Sequence, residues 1–171
     1  MKGYIQVYTG NGKGKTTAAL GLALRAAGAG LKVFFVQFMK GIRSSEAIAL
    51  EKLSSHITIR QYGSGSFINY TPNEQDIRAA QQGLKEVREA MLSGRYQVII
   101  LDEANVAGRY NLFSVEDLLG LIRIKPDDVE LVITGRDADH RIIEAADLVT
   151  EMKEVKHYYM DGVAARDGIE K

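Results

Sequence analysis

Nine consecutive residues near the amino terminus have the types and order that bind a polyphosphate. They are Thr9, Gly10, Asn11, Gly12, Lys13, Gly14, Lys15, Thr16 and Thr17. Glycines let backbone N–H groups approach phosphate oxygens, and a helix that starts at the end of such a loop adds free N–H groups and the positive end of its dipole. The Lys15 ammonium can reach the terminal phosphates, and the Thr16 hydroxyl can ligate Mg²⁺.

The spacing departs from the usual Gly-x4-Gly-Lys-Ser/Thr pattern at one position. Thr9 stands where that pattern has its first glycine, and Gly10 follows one place later. The context still fits, because an apolar strand-like run precedes the loop and an alanine-rich helical pattern follows it. The alternative is a glycine-rich turn whose lysines bind nothing, and it leaves Gly-Lys-Thr-Thr at the helix start unexplained.

A second set of chemical groups follows the apolar run at 97–101. Asp102 and Glu103 come directly after this run. In nucleoside triphosphate sites, a carboxylate after a buried strand holds the metal directly or through its water, opposite the hydroxyl of the phosphate loop. We therefore predict that Thr16, Asp102 and Glu103 form a Mg²⁺ site. Taken alone, an Asp-Glu pair at a strand end is often only a solvated corner.

Other residues that follow strand-like runs are weaker candidates. Gln37 and Lys40 end the second run, where a solvated strand end is an equally good interpretation. Arg136 follows the fifth run and could pair with a phosphate bidentately, although a lone arginine there is usually a surface residue. Phe67 and Tyr70 lie in the loop after the third run and could close over an apolar ligand or pack into the core.

Strand-like and helix-like runs alternate along the whole chain. Strands are predicted at about 3–8, 32–38, 57–61, 97–101, 130–134 and 147–151, helices at about 15–28, 43–54, 73–93, 114–123 and 138–146, and a loop at 104–111. Near-continuous apolar strands that alternate with helices are typical of a parallel sheet covered on both faces. We therefore predict a single α/β domain over residues 1–171, a P-loop (RecA-like), mostly parallel six-stranded sheet with helices on both faces. Such sheets bind ligands beyond the carboxyl ends of their strands.

Composition and charge limit the possible functions. The 22 basic and 22 acidic residues give a formal net charge of zero, which argues against nucleic-acid and membrane partners. The chain has no cysteine, so disulfides, zinc thiolates and thiol catalysis are excluded. Its three histidines lie far apart, which argues against a histidine metal centre. We expect a cytoplasmic protein without a signal peptide, since the first strand-like run begins at once and the apolar run at 31–39 is too short for a bilayer.

These residues support a magnesium-dependent nucleoside triphosphate site without selecting a reaction. Several motifs resemble those of the ATP:corrinoid adenosyltransferases of cobalamin biosynthesis and salvage, including the displaced first glycine. The similar stretches are residues 9–19, 36–41, 101–107, 134–136, 144–152, 155–157 and 168–170. The resemblance therefore runs in order through nearly the whole chain.

The resemblance implies a transferase in which the Co(I) centre of a corrinoid attacks the ribose 5′ carbon of ATP and the triphosphate leaves. It implies that ATP lies along the loop in the reverse sense, so that its ribose faces the corrinoid. By matching position, Thr16 and Glu103 would ligate Mg²⁺, and Lys15 and Glu103 would be catalytic. The implied ATP-binding set is Thr9, Gly10, Asn11, Gly12, Lys13, Gly14, Lys15, Thr16, Thr17 and Arg136.

The resemblance also implies that aromatic residues after the third strand exclude the lower axial ligand of cobalt and so allow its reduction. Phe67 and Tyr70 are the corrinoid-binding candidates, and Phe67 is also a catalytic one. An electron-donating reductase or flavoprotein and a homodimer are the implied partners. Two alternatives stay open: a P-loop ATPase or kinase, in which Glu103 would orient water or an acceptor hydroxyl, and a non-catalytic ATP-binding corrinoid protein.

Overall fold

The computed structural model describes residues 1–63 and 71–170. Their strands are β1 (Ile5–Thr9), β2 (Val33–Phe38), β3 (Ile57–Tyr62), β4 (Val98–Asp102), β5 (Glu130–Thr134) and β6 (Leu148–Glu151). Their α-helices are α1 (Lys15–Gly28), α2 (Ser45–Glu51), α3 (Glu74–Leu92), α4 (Ala104–Arg109), α5 (Val115–Ile124) and α6 (His140–Ala145), followed by a 3₁₀ helix at Tyr158–Asp161. Within these residues, no helix is both long and apolar enough to cross a bilayer.

The strands form one sheet in the order β3-β2-β4-β5-β1-β6, and every adjacent pair is parallel. The predicted α/β fold is therefore confirmed. Since β5 lies between β1 and β4, one strand separates the loop after β1 from the acid pair after β4. Parallel pairing places both at the carboxyl edge of the sheet, where such folds bind ligands.

Different helices cover the two faces of the sheet. Helices α1 and α2 cover one face, where Ala19 and Ala23 of α1 pack against strand residues such as Phe35. Helices α3 to α6 cover the other face, around residues such as Phe38 and Leu101. Because alanine side chains are short, α1 can lie close to the sheet, and the phosphate loop before it is held against the strand ends.

Residues 104–109 form a helix where the sequence predicts a loop, so that part of the prediction was wrong. Helix α4 is six residues long and has no side-chain cap at its amino end. Asn105 and Gly108 are weak helix formers, so local propensity gives little signal here. The helix forms because Ala104 and Ala107 are fully buried against the sheet. The other predicted helices and strands are confirmed in position.

Candidate active site

The phosphate loop, residues 9–17, joins β1 to α1 and is fitted closely to the segment that follows β6. The Gly12 N–H donates a hydrogen bond of 2.6 Å to the Met152 carbonyl oxygen. A Cβ atom on Gly10 or Gly12 would lie 2.5 or 2.7 Å from that oxygen. Gly10 and Gly14 also have φ values of 92° and 122°, which favour glycine. The loop glycines are therefore required by this close approach as well as by the backbone conformation.

The Lys15 side chain lies in the concavity of the phosphate loop. Lys15 is only 6% exposed, and its Nζ donates hydrogen bonds of 2.7 and 2.8 Å to the carbonyl oxygens of Gly10 and Gly12. Burial lowers the pKa of this ammonium, and the nearby Glu103 carboxyl partly opposes that effect. A poorly hydrated cation of this kind gains more from a phosphate oxygen than an exposed lysine would.

Asp102 is completely buried behind the loop, and three neutral side chains donate hydrogen bonds to its carboxylate. Oδ1 accepts from the hydroxyls of Thr16 at 3.0 Å and Thr134 at 2.7 Å, and Oδ2 accepts from Gln37 Nε2 at 3.1 Å. Burial raises the pKa of Asp102, and these hydrogen bonds oppose the rise. None of the three donors carries charge, so a cation bound at Thr16 would add to the weaker electrostatic effect that Lys40 has on this carboxylate.

Glu103 is the acid that faces the open site. Its φ of 58° turns the chain sharply from β4 into α4, and its N–H donates to the Thr134 hydroxyl at 3.1 Å. Burial, followed by the nearby Asp102 carboxylate, raises the pKa of Glu103 to about 7. Two carboxylates this close favour a positive ion between them and the loop.

The oxygen donors of Thr16, Asp102 and Glu103 fit the chemistry of Mg²⁺, which binds one or two carboxylates and keeps several waters or phosphate oxygens. Among the residues that the structure describes, no group of three or more histidine, aspartate or glutamate side chains is placed to hold a metal by itself. A metal at this position would therefore take its remaining ligands from a bound triphosphate and water.

A cavity of about 910 Å³ opens above these groups and is large enough for a nucleotide. The residues predicted from the sequence that line it are Gly12, Lys13, Gly14, Lys15, Thr16, Thr17, Glu103 and Arg136. The Thr9 hydroxyl instead accepts a hydrogen bond from the Ala138 N–H at 3.3 Å. The predicted corrinoid residues Phe67 and Tyr70 lie outside the described residues.

A polar network beside the cavity includes one residue that the sequence analysis missed, Glu46. Its Oε1 accepts from Lys40 Nζ at 2.7 Å and from Gln37 Nε2 at 3.0 Å. Burial alone would raise the pKa of Glu46, but these hydrogen bonds outweigh it and lower the pKa to about 2. Gln37 and Lys40 are thus more than a solvated strand end, since Gln37 connects Asp102 to the Lys40–Glu46 ion pair.

The end of the chain also contributes to the cavity, through His157, Gly168, Ile169 and Glu170. Lys13 Nζ donates to Glu170 Oε1 at 2.9 Å. Nothing local in the sequence predicts that contact, because the two residues are far apart along the chain. The sequence gives one indication of a role for this segment. The family resemblance includes residues 155–157 and 168–170, and a polar tail without a role would not be expected to share such motifs.

The fold and this site define a P-loop nucleoside triphosphate-binding protein, because the loop, Thr16 and the buried Asp102 meet at the carboxyl edge of a parallel sheet. Comparison with known proteins narrows that class. Residues 1–170 match the family described as ATP:corrinoid adenosyltransferase BtuR/CobO/CobP, and the chain belongs to this family.

Relatives in three bacteria are similar along almost the whole chain. The corrinoid adenosyltransferase of Pseudomonas aeruginosa is 34% identical over 170 residues, which are 99% of this chain and 84% of that protein. That of Escherichia coli K12 is 36% identical, covering 99% and 86%. The corrinoid adenosyltransferase CobA of Salmonella typhimurium is 35% identical, with the same coverage. The resemblance is therefore confirmed, the enzyme class is a transferase, and the ATPase or kinase alternative is not favoured.

Proposed function

We propose that this chain, as one P-loop domain over residues 1–171, transfers the 5′-deoxyadenosyl group of ATP to the Co(I) centre of a corrinoid and releases triphosphate. The observation that carries the proposal is a loop, lysine and acid pair of the kind that binds a triphosphate, found in a member of the adenosyltransferase family. Lys15, Thr16 and Glu103 line one cavity there, with Asp102 behind it. The same loop in an unrelated chain would support only nucleotide binding.

The reaction is a substitution at the ribose 5′ carbon. The electron pair of Co(I) forms the cobalt–carbon bond, the bond from C5′ to the α-phosphate oxygen breaks, and the triphosphate leaves with the electron pair of that broken C–O bond. Cobalt is thereby oxidised to Co(III). The protein has little covalent chemistry to perform, so it acts by holding the two reactants in line and by stabilising the charge that develops on the leaving group.

We assign the leaving-group end of the site to the phosphate loop. The amides at the start of α1 and the Lys15 ammonium bind the triphosphate and become more favourable as its charge grows. Thr16 and Glu103, with Asp102 behind them, would hold Mg²⁺, which neutralises part of the same charge when bound. Arg136 lines the cavity and is a further nucleotide contact.

We assign the corrinoid to the far side of the cavity. The cavity wall includes Val106 and the exposed ring of Tyr110, whose apolar surface suits the face of a macrocycle. Phe67 and Tyr70, predicted from the resemblance, would exclude the lower axial ligand of cobalt. A reductase or flavoprotein would supply the electron, a homodimer would be the working form, and the cytoplasm would supply ATP and reducing power.

Product analysis tests the reaction. The chain is incubated with MgATP, cob(II)alamin and a strong reductant, and triphosphate, ADP and the adenosylated corrinoid are quantified. We expect triphosphate and adenosylcorrinoid in equal amounts, and no triphosphate when corrinoid is omitted. ADP as the main product would indicate an ATPase or kinase, and absence of a cobalt–carbon bond in a single turnover would indicate a binding protein without chemistry.

Substitution of Phe67 by alanine tests the corrinoid assignment. We expect the Kd for MgATP to stay within about twofold, while adenosylation starting from Co(II) falls by about tenfold or more and adenosylation of prereduced Co(I) is largely retained. Tyr4→Ala is the matched control, because Tyr4 is an exposed aromatic residue at the opposite edge of the sheet. Equal losses from Co(II) and Co(I) would contradict a role in reduction.

A further inference from the structure

We propose that residues 152–170 form a clasp on the phosphate loop, in which Glu170 is a positioning residue for ATP that acts through Lys13. This inference rests on the proposed function only in that ATP is held by the phosphate loop. Two separate sets of contacts support it, one from the backbone and one from side chains.

The first part of the clasp is a backbone contact that directly continues the β1–β6 pairing. The Met152 N–H donates to the Thr9 carbonyl at 2.8 Å, and the Gly12 N–H donates to the Met152 carbonyl at 2.6 Å. Because a Cβ atom at Gly10 or Gly12 would collide with this same carbonyl, the loop has no room to shift toward Met152. This contact fixes the first half of the loop.

The second part holds the Lys13 side chain. Its Nζ donates to Ile169 O at 2.8 Å and Glu170 Oε1 at 2.9 Å, and lies 3.4 Å from the Tyr158 hydroxyl. A lysine ammonium has three protons, and all three have acceptors in the clasp. The charge of Lys13 is therefore directed toward Glu170, while Lys15 is the cation inside the loop.

Glu170 is more than one half of a surface ion pair, which would contribute little. Its Oε2 accepts from the Arg166 backbone N–H at 2.9 Å and from Arg166 Nε at 3.2 Å, and its Oε1 accepts from Arg166 Nη2 at 3.0 Å and from the Tyr158 hydroxyl. The Arg166 guanidinium lies 5.1 Å from the Tyr158 ring centre. The Glu170 side chain is only 16% exposed, and these hydrogen bonds lower its pKa.

The clasp also forms part of the ATP site itself, since His157, Gly168, Ile169 and Glu170 line the same cavity as the second half of the loop. A loop that is held in its binding conformation loses less freedom when ATP binds, so its affinity is higher. The bond-breaking step depends instead on Lys15 and the acid pair. Loss of the clasp should therefore weaken ATP binding without slowing the chemical step.

A double-mutant cycle tests the proposal, with the Kd for MgATP measured by calorimetry on Glu170→Gln, Lys13→Met and the double variant. Each single variant should raise Kd about tenfold, because each removes the contact between Lys13 and Glu170. The double variant should raise Kd by the same factor, since the contact is already lost in either single variant. For Glu170→Gln, the rise in KM for ATP should exceed any fall in kcat measured at saturating ATP, because the contact positions the loop and does not act in the bond-breaking step. Asp161→Asn is the matched control, since Asp161 is an exposed acid of the same segment.

Three outcomes would overturn the clasp. They are an unchanged Kd in Glu170→Gln, effects that multiply to about a hundredfold in the double variant, and tighter ATP binding, which would mean that Glu170 competes with ATP for Lys13. If Glu170→Gln lowers thermal stability, Tyr158→Phe replaces it, and an unchanged Kd there overturns the proposal equally. Because Kd does not require adenosyl transfer, a chain that binds ATP but transfers nothing would refute the proposed function and leave the clasp standing.

Discussion

Two carboxylates accept hydrogen bonds from different residues of the phosphate loop, Asp102 from Thr16 and Glu170 from Lys13, and they have opposite surroundings. Asp102 is fully buried, the donors to its carboxylate among the described residues are three uncharged side chains, and burial raises its pKa. Glu170 lies near the surface between Lys13 and Arg166, and its hydrogen bonds lower its pKa. The first charge is left for a cation that arrives with the ligand, whereas the second is already neutralised by the chain. A carboxylate thus prepares a cation-binding site at Asp102, whereas at Glu170 a carboxylate holds the phosphate loop in place.

Lys15→Ala should have the largest effect, because it removes the one lysine inside the loop on the Asp102 side. We expect kcat/KM to fall on the order of a thousandfold with most ATP affinity lost. Lys13→Met, on the Glu170 side, is the matched control with a much smaller effect. The measurement is MgATP calorimetry together with steady-state adenosylation. Equal ATP affinity in Lys15→Ala and the parent would contradict the assignment of this lysine.

Asp102→Asn tests whether the buried charge serves the ligand rather than the fold. We expect kcat/KM to fall about a hundredfold. Without Mg²⁺ and ATP, the free energy of unfolding should fall by less than about 1 kcal/mol, because a neutral amide is easier to bury than an unpaired carboxylate. MgATP should raise the melting temperature of the parent and of Glu170→Gln, but only weakly that of Asp102→Asn. A large loss of stability in the ligand-free variant would instead make Asp102 a structural residue.

The surroundings of Glu46 are intermediate between those of Asp102 and Glu170, because its carboxylate has one charged partner, Lys40, and one amide partner, Gln37. Its pKa is lowered from 4.5 to about 2 in the folded protein, so the folded state binds fewer protons than the unfolded state in that range. Its stabilisation is therefore present above pH 4.5 and is lost as the pH falls toward 2.

The corresponding variant is Glu46→Gln, compared with the parent by denaturant unfolding at several pH values. We expect the variant to be less stable by about 1–2 kcal/mol at neutral pH and equal to the parent near the acid limit. Glu51→Gln on the same helix is the control, since the Arg43–Glu51 pair is well exposed and should contribute little. A stability difference that does not change with pH would show that Glu46 acts by packing rather than by charge.

The strands, the phosphate loop and the acid pair were predictable because each is specified by neighbouring residues. Apolar runs locate the buried strands, and the parallel arrangement then requires Lys15, Thr16 and Asp102 to meet at one edge. Helix α4 was missed for the converse reason. The helix has weak local propensity and forms because its alanines are buried against the sheet. That burial depends on residues far away along the chain, so the local sequence does not indicate it.

The two polar networks were also beyond prediction from the sequence alone. Glu46 reaches Gln37 from a separate helix, and Glu170 reaches Lys13 across 157 positions of chain. Contacts between side chains of separate elements leave no periodic pattern, and an acidic residue on a helix or in a tail is usually solvated. The family resemblance includes residues 168–170 without a physical reason for their role, and the ion pair between Glu170 and Lys13 of the loop supplies one.

The contact between Met152 and Gly12 has a consequence for how the protein is made. The ribosome synthesises the phosphate loop well before the partners that hold it, Met152 and then Glu170. The nascent chain can therefore form most of its sheet before the phosphate loop has the contacts that hold it in place. Competence to bind ATP should therefore appear only once the segment from Met152 to Glu170 has left the ribosome, rather than growing steadily with chain length.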